Sequence, residues 1–198
     1  MSPITQTILG FSKNRPEGSI LSPKEFLGHN TRAAVDQAFT RLAKSGKLLR
    51  VGRGAYVAPV SSRFGTRPPT QEAVIKSIAA KKGEQVASTG AVAANALGLT
   101  TQVPVQEFFI TSGRNRVLKL GKRVIRFKHA PRWQLALGNR PAGMAVRALA
   151  WIGREHAPEA LEKIRKKLTK EEWEVLVGAR AFFPEWMAKL LGGANVLG

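Results

Sequence analysis

The spacing of apolar residues between Ser19 and Val57 is helical at first and alternating afterwards, which predicts two helices followed by a hairpin. Ser22 and Pro23 mark the start of the first, short helix, because serine caps free backbone N–H groups and proline fits the first helical position. Gly28 then supplies a turn, since glycine adopts positive φ without steric cost. The pattern therefore predicts a short helix and a tight turn before the longer helix.

The longer helix is predicted to begin at a cap on Asn30 or Thr31 and to end near Gly46. Its apolar residues fall at helical spacing and predict a buried stripe of Val35, Phe39 and Leu42. Its polar residues lie mostly outside this stripe and are Arg32, Asp36, Gln37, Thr40, Arg41 and Lys44. Arginine, glutamine and threonine are side chains that contact base edges or phosphates when a helix enters the major groove of DNA.

Residues 47–51 and 55–57 alternate as strands do, and Gly52, Arg53 and Gly54 join them. The two glycines allow a tight reversal, which places Arg53 at the tip of a basic hairpin. An arginine at such a tip is positioned to enter a minor groove or to contact a phosphate. This order of elements is typical of a winged helix-turn-helix and favours DNA binding. The alternative is a basic surface on a small helix-hairpin unit with no ligand.

The remaining pattern predicts an α+β protein with two domains. A helix over residues 2–13 supports the winged unit, and a proline-containing linker occupies residues 59–69. Further on we predict a helix at 70–82, a short strand at 86–87, an alanine-rich helix from 88 to 97, strands at 105–111, 117–120 and 122–128, and helices from 141 onwards. The predicted domains are a winged helix-turn-helix at 1–58 and a mixed α/β domain with a helical C-terminal part at 70–198.

Charge is the unusual feature of the composition. The 198 residues include 32 Lys and Arg against 13 Asp and Glu, which gives a formal net charge of +19. Such a surplus is typical of proteins that bind nucleic acid or an anionic surface. It amounts to +6 in residues 1–60, +2 in 61–69, +7 in 70–130 and +4 in 131–198. The sequence therefore predicts one extended basic surface, or two, rather than one basic motif on a neutral body.

Several kinds of chemistry have little support in the sequence. The chain has no Cys, and its His29, His129 and His156 are far apart, so we expect no disulfide and no metal site. It has no long apolar run and no signal-type N-terminus, so we expect a cytoplasmic protein. Phosphate-binding glycine loops, HExxH and nucleophile elbows are absent, and the basic segments contain few carboxylates for a two-metal nuclease. We therefore expect neither an enzyme nor a bound cofactor.

A second group of cations lies on or next to the strands predicted at 105–128. Its members are Arg114, Arg116, Lys122, Arg123, Arg126 and Lys128. A basic sheet face with aromatic neighbours is one kind of nucleic-acid surface. The alternative is a solvated face that covers a core.

Residues 48–57, with the run Arg-Gly-Ala-Tyr-Val, resemble the N-terminal domain of AbiEi-type antitoxins. The segments 88–100, 103–104 and 108–111 look like the domain that follows in that family, so the resemblance covers most of the chain. It implies a bacterial antitoxin of a type IV (abortive infection) toxin–antitoxin system. Such a protein represses its own operon through the winged helix and counteracts a nucleotidyltransferase-like toxin. Direct contact with that toxin stays open.

The predicted DNA-binding residues are the polar ones on the longer helix and the hairpin: Thr31, Arg32, Gln37, Arg41, Lys44, Lys47, Arg50 and Arg53. The first four are expected to face the major groove, and the others to hold phosphates or a minor groove. Two other functions remain open. One is a ligand-responsive winged-helix transcriptional regulator without a toxin partner, and the other is an RNA-binding or nuclease-like protein. Binding as a monomer and binding as a dimer are equally compatible with the sequence.

Overall fold

The computed structural model describes residues 2–28, 30–63, 65–102 and 108–194, and it confirms the predicted α+β class. The helices are α1 (Pro3–Lys13), α2 (Arg32–Lys44), α3 (Gln71–Lys82), α4 (Gly90–Ala96), α5 (Arg132–Leu135), α6 (Pro141–Ile152), α7 (Ala157–Arg165), α8 (Lys170–Gly178) and α9 (Glu185–Ala194). The strands are β1 (Leu49–Gly52), β2 (Ala55–Val57), β3 (Val60–Ser62), β4 (Gly65–Arg67), β5 (Val86–Ser88), β6 (Phe108–Thr111), β7 (Arg116–Leu120) and β8 (Arg123–His129). Short 3₁₀ helices lie at Pro23–Phe26 and Ala179–Phe182.

The chain divides into two compact units. The N-terminal unit consists of the residues up to Glu84 together with Arg116–Arg126, and the C-terminal unit consists of Gln85–Asn115 and the residues from Phe127 onwards. These units do not coincide with the predicted domains 1–58 and 70–198. The segment predicted as a linker, 59–69, contains the antiparallel pair β3 and β4. Its prolines and glycine indicated an irregular connection, but its polar residues pair as strands instead.

Edge-to-face and tilted aromatic contacts organise the core of the N-terminal unit. The ring centroids of Phe11 and Phe26 are 5.1 Å apart, those of Phe26 and Phe39 are 5.5 Å apart, and those of Phe39 and Tyr56 are 4.8 Å apart. The rings join α1, the first 3₁₀ helix, α2 and β2 into one cluster. The predicted stripe on α2 is confirmed, because Val35, Phe39 and Leu42 are all buried.

Local signals start and end these elements as expected. Of the two predicted caps, Thr31 is the N-cap of α2, and its hydroxyl accepts a hydrogen bond from the Ala34 N–H. The hairpin β1–β2 is antiparallel and has a bulge between Arg50 and Gly52. The chain turns at Gly54, whose φ of 65° is in the region that favours glycine. Backbone hydrogen bonds of 2.8 and 3.0 Å also join β2 to Leu21, ahead of the first 3₁₀ helix.

Helix α3 packs within the N-terminal unit. The Ser77 hydroxyl accepts a hydrogen bond from the Ile20 N–H at 2.8 Å, and Lys81 donates to the Ile20 carbonyl at 2.9 Å. Lys81 and Arg15 both form ion pairs with Glu25. These contacts connect α3 to the segment that leads into the first 3₁₀ helix, and they are the reason that α3 belongs with residues 1–58.

Glu17 also connects two parts of this unit. Its carboxylate accepts bonds of 3.0 and 3.3 Å from Arg67 and a bond of 2.8 Å from the backbone N–H of Thr70, the N-cap of α3. The bonds from Arg67, and then the one from Thr70, lower the pKa of Glu17 from its ordinary value. The link therefore stabilises the folded unit at any pH above the ordinary glutamate pKa, and this contribution is lost as the pH falls through the lowered value.

We expect Glu17→Gln to lower the melting temperature at neutral pH, because the amide replaces a charged acceptor by a neutral one. The difference from the parent should shrink as the pH falls below about 4.3, the ordinary glutamate pKa. Melting curves of both proteins between neutral and acidic pH measure this. Glu72→Gln, an exposed change in the first turn of α3, is the control. A difference that stays constant on acidification would contradict this role of Glu17.

The C-terminal unit combines strand pairing with a helical core. Strands β5 and β6 are antiparallel, with Ala87 opposite Ile110. The strand predicted at 105–111 appears as β6 over residues 108–111, and residues 103–107 lie outside the described part. The helical core is formed by α4 and α6 to α9 and includes Ala94, Leu149, Ile164 and Met187, which are all buried.

The sequence Thr169-Lys-Glu-Glu172 at the start of α8 predicts a capping box, which the structure shows to be only half present. Thr169 caps the helix and accepts a hydrogen bond from the Glu172 N–H at 3.3 Å. The Glu172 carboxylate is engaged elsewhere, by the Arg140 guanidinium at 2.7 to 3.1 Å and by the Ala142 N–H at 2.9 Å. These bonds lower the pKa of Glu172 and place its charge at the first turn of α6.

None of the helices in the described ranges is long and apolar enough to cross a membrane.

Candidate nucleic-acid interface

Helix α2 buries one side and exposes the other. Successive residues of an α-helix are rotated by about 100°, which places Ala33, Gln37 and Lys44 opposite the buried side. These three side chains are exposed, as are Arg32 and Arg41 on the two flanks. The outer face of α2, defined here by Ala33, Gln37, Arg41 and Lys44, is therefore available to a groove-sized partner.

A cleft of about 580 Å³ lies between the first 3₁₀ helix, one flank of α2 and the β1–β2 hairpin. We call it the basic cleft, and its lining includes Lys24, Arg32, Asp36, Thr40, Arg50 and Arg53. Three of the predicted DNA-binding residues, Arg32, Arg50 and Arg53, thus come from two different elements to one place. The hairpin arrives there because β2 packs on the helix through Tyr56 and Phe39.

Arg32 and Asp36 form an ion pair inside the basic cleft. The Arg32 Nε donates to the Asp36 Oδ2 at 2.9 Å, one turn further along α2. The described contact uses Nε, so the donors on the two terminal nitrogens are not taken up by this bond. Two parallel N–H donors match the O6 and N7 acceptors of guanine. The pair therefore orients Arg32 and leaves donors for a further acceptor.

The other predicted residues are distributed differently. Gln37, Arg41 and Lys44 lie on the outer face of α2, and Lys47 lies beyond the helix and lines a separate cavity. Thr31 uses its hydroxyl to cap α2, so its side chain has a structural role there. Sequence reasoning missed Lys24, which lines the basic cleft next to Pro23. Its position at the start of a short helix is the only signal that was present in the sequence.

Positive charge is concentrated in the N-terminal unit. That unit has 19 Lys and Arg against 5 Asp and Glu, a surplus of +14, while the C-terminal unit has 13 against 8, a surplus of +5. Four of the five acids in the N-terminal unit take part in ion pairs, and these are Glu17, Glu25, Asp36 and Glu84. Each of these carboxylates mainly offsets the charge of its own partners, so the other cations determine the positive field of the unit.

The residues of the second predicted basic surface are divided between the two units. Lys122, Arg123 and Arg126 are exposed in the N-terminal unit, while Arg114 and Lys128 belong to the C-terminal unit. The Lys128 ammonium lies 4.4 Å from the centre of the Phe108 ring. Arg116 was predicted to belong to this surface, but its side chain is only 15% exposed and forms a 2.5 Å ion pair with Glu84. Lys119 on β7 is exposed and was missed.

No group of three or more His, Asp or Glu side chains that suits a metal ion occurs in the part of the chain that the structure describes. His29 lies outside that part. The arrangement of the described residues offers cations, hydroxyls and amides on exposed surfaces. Exposed cations of this kind can pair with an anionic partner.

Comparison with known proteins places the chain in a family of undetermined role. Residues 7–176 match the sequence model of a family of unknown function, DUF6088. The match includes α2, the β1–β2 hairpin and most of the C-terminal unit. No curated protein matches the chain.

Proposed function

The chain belongs to the DUF6088 family, and we propose that it binds double-stranded DNA through the basic cleft and the outer face of α2. In this proposal the N-terminal elements act as a winged helix-turn-helix. The outer face of α2 enters the major groove, and the β1–β2 hairpin contacts the adjacent backbone. The observation that carries the proposal is the convergence of Arg32, Arg50 and Arg53 in one cleft beside an exposed helix face.

Charge and burial support the same function. The unit with the cleft carries most of the surplus charge, and the exposed Arg53 stands at the turn of the β1–β2 hairpin. Contact with about six phosphates would make the affinity fall roughly a thousandfold between about 50 and 200 mM salt. A gel shift with the chain's own upstream DNA and with scrambled DNA, at two salt concentrations, tests the proposal. Failure to bind either DNA would overturn it.

We further propose that the protein is a cytoplasmic, autoregulating antitoxin. This step rests on the resemblance of residues 48–57 and of the segment 88–100 to AbiEi-type antitoxins. The N-terminal unit would repress the operon, and the C-terminal unit would counteract a nucleotidyltransferase-like toxin, with no enzyme activity and no cofactor of its own. Co-expression with a neighbouring toxin gene tests the step. Failure of the parent protein to restore growth in the presence of that toxin would contradict it.

Arg53 and Arg32 should affect binding differently. Arg53→Ala removes a hairpin cation and should weaken binding to promoter and scrambled DNA alike, with a salt slope that is smaller by about one. Arg32→Ala removes a base-reading group and should cost about 1–3 kcal/mol on promoter DNA, with much less effect on scrambled DNA. Titrations with both DNAs at several salt concentrations measure the two effects.

Arg154→Ala is the control for this pair, because it removes an exposed cation of the C-terminal unit. It should leave both affinities close to those of the parent. Intact promoter affinity in both the Arg53 and the Arg32 variants would show that the interface lies elsewhere.

One observation favours a second candidate, a ligand-responsive regulator. The N-terminal unit has a cavity of about 740 Å³ between the end of α1, the end of α2 and β3, lined by groups such as Ser12, Lys13 and Ser61. A pocket of this size is typical of small-molecule sites. A metabolite that raised the melting temperature and changed promoter affinity would favour this function over the antitoxin.

A further inference from the structure

The β7–β8 hairpin over residues 116–126 belongs to the N-terminal unit, although more than thirty residues of the other unit precede it in the chain. Strand β7 contacts β1 of the first hairpin. At this contact an added Cβ on Gly52 would lie 3.2 Å from the Leu118 Cδ2, so the glycine permits a close approach. The hairpin turn lies next to Pro68, since a Cβ on Gly121 would be 3.3 Å from its Cγ.

These contacts use the inner face of the hairpin. Leu118, Leu120 and Ile125 are buried, and Arg116 is held by its ion pair with Glu84 at the end of α3. The outer face alternates with the inner one, as expected for strands. Its exposed side chains, together with those of the turn, are Val117, Lys119, Lys122, Arg123, Val124 and Arg126.

The outer face has the composition of a nucleic-acid contact. Residues 116–126 contain five cations and no carboxylate, and only Arg116 is engaged with an acid among the described residues. Val117 and Val124 are 55% and 38% exposed, which places apolar groups between the exposed cations. A two-stranded ribbon of this kind has the width to follow a groove of DNA. On such a ribbon, phosphates would pair with the cations and the valines would contact sugars.

We propose that the outer face of the β7–β8 hairpin is a second DNA-backbone site, continuous with the basic cleft. The inference rests on the proposed function of the cleft, and it adds a longer contact with the same duplex. Strand β1 carries Arg50 into the cleft and also packs against β7, so the two surfaces lie on elements that share one strand as a neighbour. Lys119, Lys122, Arg123 and Arg126 hold phosphates without reading bases.

The test is a variant with Lys119→Gln and Arg126→Gln, which keeps polar, unbranched aliphatic stems and removes two outward charges. We expect its affinity for promoter DNA at about 0.1 M salt to fall by roughly ten- to a hundredfold. The slope of log affinity against log salt should decrease by about two. The ratio of promoter to scrambled affinity should stay at the parent value, because phosphate contacts carry no sequence information.

The matched control is Lys76→Gln with Lys82→Gln, two exposed lysines of α3 in the same unit. It removes equal charge and should leave the salt slope close to the parent value. Hydroxyl-radical footprints give a second measurement, in which backbone positions protected by the parent are open in the hairpin variant. Melting curves confirm that each variant is folded.

The outcomes separate this inference from the proposed function. Unchanged affinity and footprint in the hairpin variant, beside weak binding by an Arg53 variant, would overturn the second site alone. If the hairpin variant bound RNA less tightly than the parent but bound DNA equally well, the second DNA site would also be overturned. Absence of DNA binding by the parent protein would overturn the proposed function and this inference together.

Discussion

The double charge reversal Arg50→Glu with Arg53→Glu is expected to lower the affinity for double-stranded DNA more than a hundredfold at about 0.1 M salt. Both side chains line the basic cleft from the β1–β2 hairpin and are exposed. At this salt concentration each phosphate contact strengthens DNA binding about tenfold relative to 1 M salt. The variant loses two such contacts, and its two new carboxylates also repel the phosphates. Fluorescence anisotropy with a labelled promoter duplex measures the change.

A variant with Arg154→Glu and Lys166→Glu is the control for that reversal. Both residues are exposed in the C-terminal unit, and the net charge changes by the same amount. It should reduce the affinity several-fold at most, because only the long-range field changes. Equal losses in the two variants would mean that total charge, and not the cleft, determines binding.

Gly143→Ala is expected to destabilise the C-terminal unit strongly. An alanine Cβ there would lie 2.3 Å from the Gly138 carbonyl oxygen and 2.8 Å from that of Leu137, and backbone atoms cannot rotate away as side chains do. The Gly138 oxygen also accepts a 2.7 Å hydrogen bond from Arg147, whose guanidinium is buried. Burial lowers the pKa of Arg147 to about 10, so this charge depends on the few acceptors it has.

The cost should be about 3 kcal/mol or more, since overpacking is combined with a disturbed acceptor of a buried charge. For a chain of this length, that is a decrease of roughly 10 °C in melting temperature. Gly178→Ala is the control, because it lies in helical backbone at the end of α8 with open space around its Cβ position. It should be neutral or stabilise by about 0.5–1 kcal/mol. Similar melting temperatures for the two variants would contradict the close approach at Gly143.

Much of the N-terminal unit could be predicted from the sequence, because its signals are local. The helical spacing of Val35, Phe39 and Leu42 placed the buried side of α2, and the structure confirms it. Glycines at 52 and 54 placed the reversal between β1 and β2. Periodicity and turn chemistry act over a few residues, so a single sequence carries them completely.

Predictions that needed distant partners were less successful. The segment 59–69 contains a hairpin, and the capping-box carboxylate of Glu172 is engaged by Arg140. Arg116 had been grouped with exposed cations, but Glu84 holds it in a largely buried ion pair. The hairpin in 59–69 is local, but its polar residues carry no alternating apolar pattern that marks strands. For Glu172 and Arg116 the deciding partner lies far away in the chain, and composition or spacing does not reveal which distant groups meet.

The sequence by itself determined the α+β class, the elements around α2 and the size of the positive surplus. Only the tertiary structure decided where that charge is concentrated and which cations lie together. It brought Arg32 and Arg53 into one cleft, and it placed residues 116–126 beside β1 by packing Leu118 against Gly52. The physical reason is that local conformation follows from neighbouring residues, whereas a binding surface depends on how apolar faces from distant segments pack.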